Sequence, residues 1–296
     1  MSTPDRPWVL VANAAAGGND DEIVDAVVDL LRPEVDVVLH RTSSPEELEP
    51  VVKEAVGGTV VVLGGDGSIH AVVAALDRFD LLDDVAVAIV PLGTGNDFVR
   101  TIGMSEETLE AAAQVLSCTE RRADLVRDQD GEIVINAVHV GLGVHANIAA
   151  EPWKKALGPV GYAIGTIVAG VTGRGVDAAV EVDGQRVKSP RRLLQVAVGN
   201  GKYVGGGAPL LPDADPFDGR LDVAVSWSTP RWHRLGYAWR LRRGRHPMRD
   251  DVVYRQATTV TVRGESMSAN LDGDIGEPSR THTWTVEPGR LRLLVP

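Results

Sequence analysis

Short apolar runs alternate with helically spaced apolar positions through the first third of the chain. Trp8–Ala12 is one such run, and Asn13, Gly17 and Gly18 follow it in a loop of small residues. Asn19 stands where a helix N-cap is favoured, with Asp20, Asp21 and Glu22 in the first turn to suit the helix dipole. Ile23, Val27, Val28, Leu30 and Leu31 then recur at helical spacing as far as Pro33. Val35–Leu39 reads as a strand and Pro45–Val56 as a helix with proline near its start. Thr59–Leu63 reads as a buried strand, Ser68–Leu76 as a helix and Val85–Val90 as another strand. This β-α-β-α-β-α-β order predicts an α/β fold: an open, mostly parallel sheet covered by helices.

From about Asp124 the texture changes. Strand-like runs fall at Ile133–Val140, Ala178–Val182, Leu193–Val198, Leu221–Val225, Val252–Val262 and Leu291–Val295. Asp130-Gly131 and Asp183-Gly184 have the composition of hairpin turns. The second half is therefore mainly β, with helical stretches near 153–172 and 230–244. The boundary is expected near Asp124–Glu132, giving domains 1–126 and 127–286.

Composition narrows the class. The 296 residues suffice to bury ~75% of the surface of the unfolded chain, so no disulfide or structural metal is required. Cys118 is the single cysteine, so no internal disulfide forms; it reads as a small apolar helix residue. The net charge of −11 argues against a general nucleic-acid binder. Of the 30 basic residues, 5 are Lys and the rest Arg. The polar segment Met1 to Trp8 predicts no signal peptide. Ala156–Gly173 is uncharged and just reaches spanning length. It contains Pro159 and five glycines, and reads as a packed helix rather than a membrane span.

Two loops carry candidate chemistry. Gly64-Gly65-Asp66-Gly67-Ser68 lies between a buried strand and a helix, where ligands of such sheets bind. Adjacent glycines let backbone N–H groups approach phosphate oxygens, and the helix N-terminus adds roughly half a positive charge. Asp66 beside phosphates calls for a bridging cation; its other reading is a cap. Pro91-Leu92-Gly93-Thr94-Gly95-Asn96-Asp97-Phe98 follows the next strand. Thr94 can bond a phosphate, and Asp97 can hold a metal-bound water or cap the next helix. There is no Walker GxxxxGK[ST] pattern and no protein-kinase catalytic loop.

These loops resemble the catalytic domain of the diacylglycerol-kinase family, including the bacterial YegS-like lipid kinases. Asn13 with Gly17-Gly18 is similar to the family's first loop, and Thr42 to its nucleotide-contacting threonine. Ala123-Asp124-Leu125, Asn136 with Gly141-Leu142-Gly143, Asn200-Gly201-Lys202-Tyr203 with Gly205-Gly206-Gly207, Asp215–Val223 and Asp272-Gly273-Asp274 extend the likeness along nearly the whole chain. The resemblance implies an N-terminal Rossmann-like nucleotide-binding domain and a C-terminal β-sandwich domain. It also implies that a last strand, about 287–296, returns to the first domain. It further implies ATP at Asn13, Thr42, Gly64, Gly65, Asp66, Gly67, Ser68, His70, Gly93, Thr94 and Asn96. Asp66, Asp97 and Asp124 would form a network around a catalytic Mg²⁺. Asp215, Asp218 and the Arg220 carbonyl would hold a structural one, oxygen ligands suiting a hard cation. Asp274 would be the general base, with Asp272 as a helper.

Two departures stand out. Ala71 replaces the family's usual glutamate, and Asp274 is one methylene shorter than the glutamate expected there. Its reach falls by roughly 1.5 Å, one C–C bond. Beside the lipid kinase, which would phosphorylate diacylglycerol or a related lipid, stand an NAD kinase and a non-catalytic nucleotide or lipid sensor. The Pro91–Asp97 element sides with the lipid kinase; Ala71 and Asp274 motivate the sensor. Pro230 to Arg249 interleaves seven arginines with Trp232, Tyr237 and Trp239. It reads either as a face for anionic lipid or as a surface helix paired with the chain's own carboxylates. The expected setting is cytoplasmic and peripheral to the membrane, with a lipid substrate, no nucleic acid, and a homodimer left open.

Overall fold

The computed structural model describes residues 7–13, 20–92, 95–141, 175–188, 192–227, 236–237 and 239–296. Gly17, Gly18, the Asn19 cap, Gly93, Thr94, Gly143, His145, Trp232 and the stretch 153–172 lie outside the described residues. The chain divides into two units, Met1–Leu125 with Pro216–Asp218 and Glu287–Pro296, and Val126–Asp215 with Gly219–Val286.

The first unit is built on parallel strands β1 (Trp8–Asn13), β2 (Val37–Thr42), β3 (Thr59–Gly64) and β4 (Ala86–Pro91), ordered β2-β1-β3-β4. Every residue of β3 and β4 is buried, which is what near-continuous Val, Ile, Leu and Ala runs produce when helices cover both faces of a sheet. Helices α1 (Asp20–Leu31), α2 (Leu48–Glu54) and α3 (Asp66–Arg78) make the crossovers. Pro45–Glu47 forms a 3₁₀ turn ahead of α2, so the helix begins three residues later than proline placement predicts. Two short helices, α4 (Asp97–Ile102) and α5 (Thr108–Val115), follow β4. Cys118 lies in the link after α5, half-buried rather than helical.

The long strands β5 (Thr119–Asp128) and β18 (Ser279–Val295) each contribute to both units. Leu293 of β18 pairs in parallel with Val87 of β4. Arg292 binds both carboxylate oxygens of Glu120 at 2.7–2.8 Å.

The second unit is a β-sandwich. One sheet holds β7 (Ala137–Gly141), β10 (Leu193–Gly199), β13 (Leu221–Trp227), β14 (Val252–Ala257), β16 (Ala269–Leu271) and β17 (Asp274–Ile275), all antiparallel. The facing strands are β6 (Ile133–Val134), β8 (Ala178–Val182), β9 (Gln185–Arg186), β15 (Thr259–Met267) and residues 279–286 of β18. The remaining pair, β11 (Tyr203–Val204) and β12 (Ala208–Pro209), forms a hairpin tipped by Gly205, Gly206 and Gly207, all at positive φ. Period-two alternation sends Val138, Val140, Val196, Val198, Val223 and Val225 to meet Val180, Val182, Val260, Val262 and Trp284 in one core.

The expected strand Val252–Val262 is two strands, which join different sheets. Asp183 turns the corner between them: its Oδ1 accepts the N–H groups of Thr258 and Thr259 and the Thr258 hydroxyl at 2.8–2.9 Å. Asp183 (φ 48) and Gly184 (φ 73) also make the tight turn between Val182 and Gln185, as the Asp-Gly pair predicts. Burial pushes the Asp183 carboxyl up, but those three bonds and the Arg220 charge outweigh it and hold the group below its ordinary value.

Candidate active site

The carboxyl ends of the parallel strands carry the loops singled out in the sequence. Asn13 ends β1 in register with Thr42 at the end of β2, and Gly64 ends β3 in register with Pro91 at the end of β4. Strand order reverses direction between β1 and β3. That switch point is where sheets of this type open a ligand crevice. Asn13 is exposed there and Thr42 half-buried.

Local packing explains the glycines. A Cβ on Gly64 would lie 2.4 Å from Ser68 Oγ, so the side chain of Ser68 occupies that space. A Cβ on Gly65 or Gly67 would meet nothing within 4 Å. Among the described residues, the space beside these two glycines is thus unfilled. Gly65 caps α3, its carbonyl accepting the N–H groups of Ser68 at 2.9 Å and Ile69 at 3.1 Å. Asp66, Gly67 and Ser68 occupy the first turn of that 13-residue helix, where N–H groups and the dipole favour an anion, and the half-buried His70 begins the second turn.

Asp66 joins this loop to the next. Its Oδ2 accepts the N–H of Asp97 at 3.1 Å, and its Oδ1 that of Phe98 at 3.2 Å. The adjacent residue Asn96 is left-handed (φ 50) and makes no side-chain cap bond, so Asp66 caps α4 from a different loop. Gly95 permits the approach, since a Cβ there would stand 3.1 Å from Asp66 Oδ2. Asp97 is buried, and Arg100 donates to its Oδ1 at 3.1 Å while gripping Glu106 with two further bonds. Arg100 was missed in the sequence reading, although its i, i+3 spacing from Asp97 was visible.

Asp124 lies apart from this pair. It is buried on β5 and its Oδ1 accepts the N–H of Gly289 at 2.7 Å. Gly289 precedes Leu293, the partner of Val87, so Asp124 sits toward the amino end of β4 while Asp66 and Asp97 gather at its carboxyl end. Strand geometry thus sets Asp124 apart from the Asp66–Asp97 pair. Among the described residues, no three His, Cys, Asp or Glu side chains gather closely enough to hold one cation.

In the second unit, Asp272 and Gly273 form a two-residue hairpin turn, with φ of 50° and 112°, between the paired residues Leu271 and Asp274. Asp274 is exposed at its edge. Asp272 turns inward, its carboxylate accepting the N–H groups of Ile135 at 2.8 Å and of Asn136 and Ala137 at 3.0 Å. These amides divide the expected strand Ile133–Val140 into β6 and β7. Asn270, a second residue the sequence reading missed, clamps Gly273 with its side-chain amide, giving and taking bonds of 3.0 Å.

Asp215, Asp218 and Arg220 are exposed, with Asp218 in the first unit and the other two in the second. Of the basic segment, residues 236–237 and 239–249 are described. Trp239 is 57% exposed, with the Arg243 guanidinium 3.9 Å over its ring, and Met248 is 77% exposed. Arg240, Arg242 and Arg245 are also exposed. Among the described residues no helix is long and apolar enough to cross a membrane.

The family comparisons agree with this architecture. Residues 7–127 match the diacylglycerol kinase catalytic domain, and residues 136–295 match the YegS C-terminal NAD kinase beta sandwich-like domain. The chain is 30% identical to a probable lipid kinase YegS-like of Stenotrophomonas maltophilia, covering 100% of this chain and 97% of that protein. It is 31% identical to a protein of the same description from Pseudomonas aeruginosa, over 97% of this chain and 94% of that one. Among solved structures, a putative diacylglycerol kinase from Bacillus anthracis superposes with a TM-score of 0.82 at 24% identity, over 100% of this chain and 99% of that one.

Proposed function

The chain belongs to the diacylglycerol kinase family, in its YegS-like lipid kinase branch, and we propose that it transfers the γ-phosphoryl group of ATP to a hydroxyl of diacylglycerol or a related lipid. One observation carries the reading. Asp66 ties two glycine loops together at the carboxyl edge of a parallel sheet, beside Gly65 and Gly67, where an added Cβ would meet no described atom within 4 Å. Phosphoryl transfer asks mainly for positioning and charge neutralisation, and this arrangement supplies both.

In this reading the amides of Gly65, Asp66 and Gly67 at the start of α3 bind the phosphates, and Asn13 and Thr42 line the nucleotide side. Asp66 and Asp97 present oxygen donors only, which fits Mg²⁺, a hard ion commonly held by one or two carboxylates together with phosphate oxygens. Bound there, Mg²⁺ would neutralise charge on the transferred group. Arg100 fixes the Asp97 carboxylate in place. Asp274 takes the proton from the acceptor hydroxyl as general base.

Trp239, Met248 and the exposed arginines suit the interface of an anionic membrane, aromatic and apolar groups entering the headgroup layer while guanidinium groups meet phosphate.

The deciding experiment incubates the purified protein with [γ-³²P]ATP and Mg²⁺ beside either a lipid extract or NAD. Label in the organic phase supports the proposal. Label on NADP would replace it with an NAD kinase, and ATP binding without any labelled product would replace it with a nucleotide sensor.

A further inference from the structure

The exposed Asp274 sits beside a turn that is anchored far more heavily than its two residues require. The Asp272 carboxylate accepts three backbone N–H groups, from Ile135, Asn136 and Ala137. Its own N–H donates to the Ala137 carbonyl at 3.1 Å. The Asn270 amide holds Gly273 through both its N–H and its C=O. Asp272 also adopts a left-handed conformation, uncommon for a residue with a Cβ. Hydrogen bonds to an ionised acceptor are roughly twice as strong as neutral ones. A solvent-facing turn needs no such anchorage merely to reverse the chain.

We infer that Asp272 is a positioning residue: by seating its carboxylate on the backbone of residues 135–137 it immobilises the hairpin that presents Asp274. The inference rests on the kinase reading above and explains how that reading survives the shorter side chain. A base that has lost one methylene has little slack, and a misplacement of 1 Å can cost about 100-fold in rate. A fixed backbone removes the need for side-chain reach to compensate. Asp272 thereby moves from the helper role expected in the sequence to one that acts through its neighbour.

The test is a double-mutant cycle on the full chain, with ATP, Mg²⁺ and a lipid acceptor that the wild-type protein phosphorylates. Asp272→Asn removes the charge and places a donor among donors. It is expected to lower kcat about 10- to 100-fold and leave the KM for ATP within about twofold. Asp274→Asn removes the base. The double variant should be no slower than Asp274→Asn alone, within about twofold, because Asp272 has nothing left to position. A merely structural role would not give this pattern, and thermal melts confirm that each variant is folded. If Asp272→Asn does not fold, Asp272→Glu keeps the carboxylate, shifts it by one bond and should show the same non-additive loss.

An Asp272→Asn enzyme at full kcat beside an inactive Asp274→Asn would overturn this inference and leave the kinase reading intact. So would losses that multiply in the double variant. A wild-type protein that labels no lipid would overturn both.

Discussion

The carboxylate of Asp66 accepts the backbone N–H of Asp97 at 3.1 Å, although 31 residues separate them. The bond makes the two glycine loops one unit, because Asp66 also takes the next N–H, that of Phe98. Removing it affects binding and folding together. Asp66→Ala is expected to abolish ATP–Mg²⁺ heat in calorimetry. It should also cost about 1–3 kcal/mol in urea unfolding, from a lost helix cap and charged hydrogen bonds. Unchanged ATP binding by the variant would remove Asp66 from the site.

Gly64 is held to glycine by Ser68, whose Oγ and Cβ lie 2.4 and 2.5 Å from where a Cβ would stand. Gly64→Ala should therefore lower the melting temperature and weaken nucleotide binding. Adding Ser68→Gly should restore much of the stability, since the colliding atoms go. No recovery in the double variant would place the constraint elsewhere in the turn.

Asp274, the proposed base, allows chemistry to be separated from binding. Asp274→Asn should reduce kcat by about 10²–10⁴-fold with little change in ATP affinity. Asp274→Glu restores the side-chain length of the family and is expected to stay active. Initial rates on one lipid acceptor decide this, and an Asp274→Asn enzyme at wild-type speed would exclude the role.

Two histidines make stability depend on mild acid. His246 is fully buried against the edge of Tyr237; burial lowers its pKa to about 4, with the Leu210 carbonyl and Asp213 pulling the other way. Burial likewise lowers His139, whose Nδ1 is sealed from solvent, to about 4. Both are near 6.5 in the unfolded chain, which therefore binds more protons in this range. Their contribution is complete above pH 6.5 and is lost as pH falls toward 4. Melting temperature should drop across that window, and His246→Gln should flatten the slope whatever it does to the melting temperature at pH 7. A slope identical to wild type would contradict the assignment.

The basic segment makes a separate prediction. Flotation with liposomes containing anionic lipid should capture the protein at low salt and release it as salt rises. Trp239→Ala with Arg240, Arg242, Arg243 and Arg245 changed to Gln should abolish capture without altering the melting temperature. Equal capture by neutral liposomes would argue against the electrostatic part.

The strands β3 and β4 were legible because their apolar runs are continuous, and the Asp183-Gly184 turn because only a few residue pairs accept two positive φ values. The long strand β5 was not: its first four residues, Thr119–Arg122, are exposed and mostly charged, so no alternation marks them. Helix α4 is six residues long, too short to show a period. The corner at Thr258 and the break before Ala137 contain no proline or glycine. Each is imposed by a carboxylate distant in sequence, Asp183 in one case and Asp272 in the other. The glycine loops could be placed at strand ends from the pattern alone. That Asp66 caps α4, and that Asp124 faces Gly289 instead of joining Asp66, depends on tertiary pairing that no local pattern encodes.

Because Glu287–Pro296 is grouped with Met1–Leu125, the first unit is assembled from pieces that leave the ribosome far apart in time. Until β18 arrives, β4 offers an open hydrogen-bonding flank along a fully buried strand, the kind of template on which nascent chains associate. Excising this unit for separate expression therefore calls for grafting the late segment behind Leu125, not for a simple stop codon.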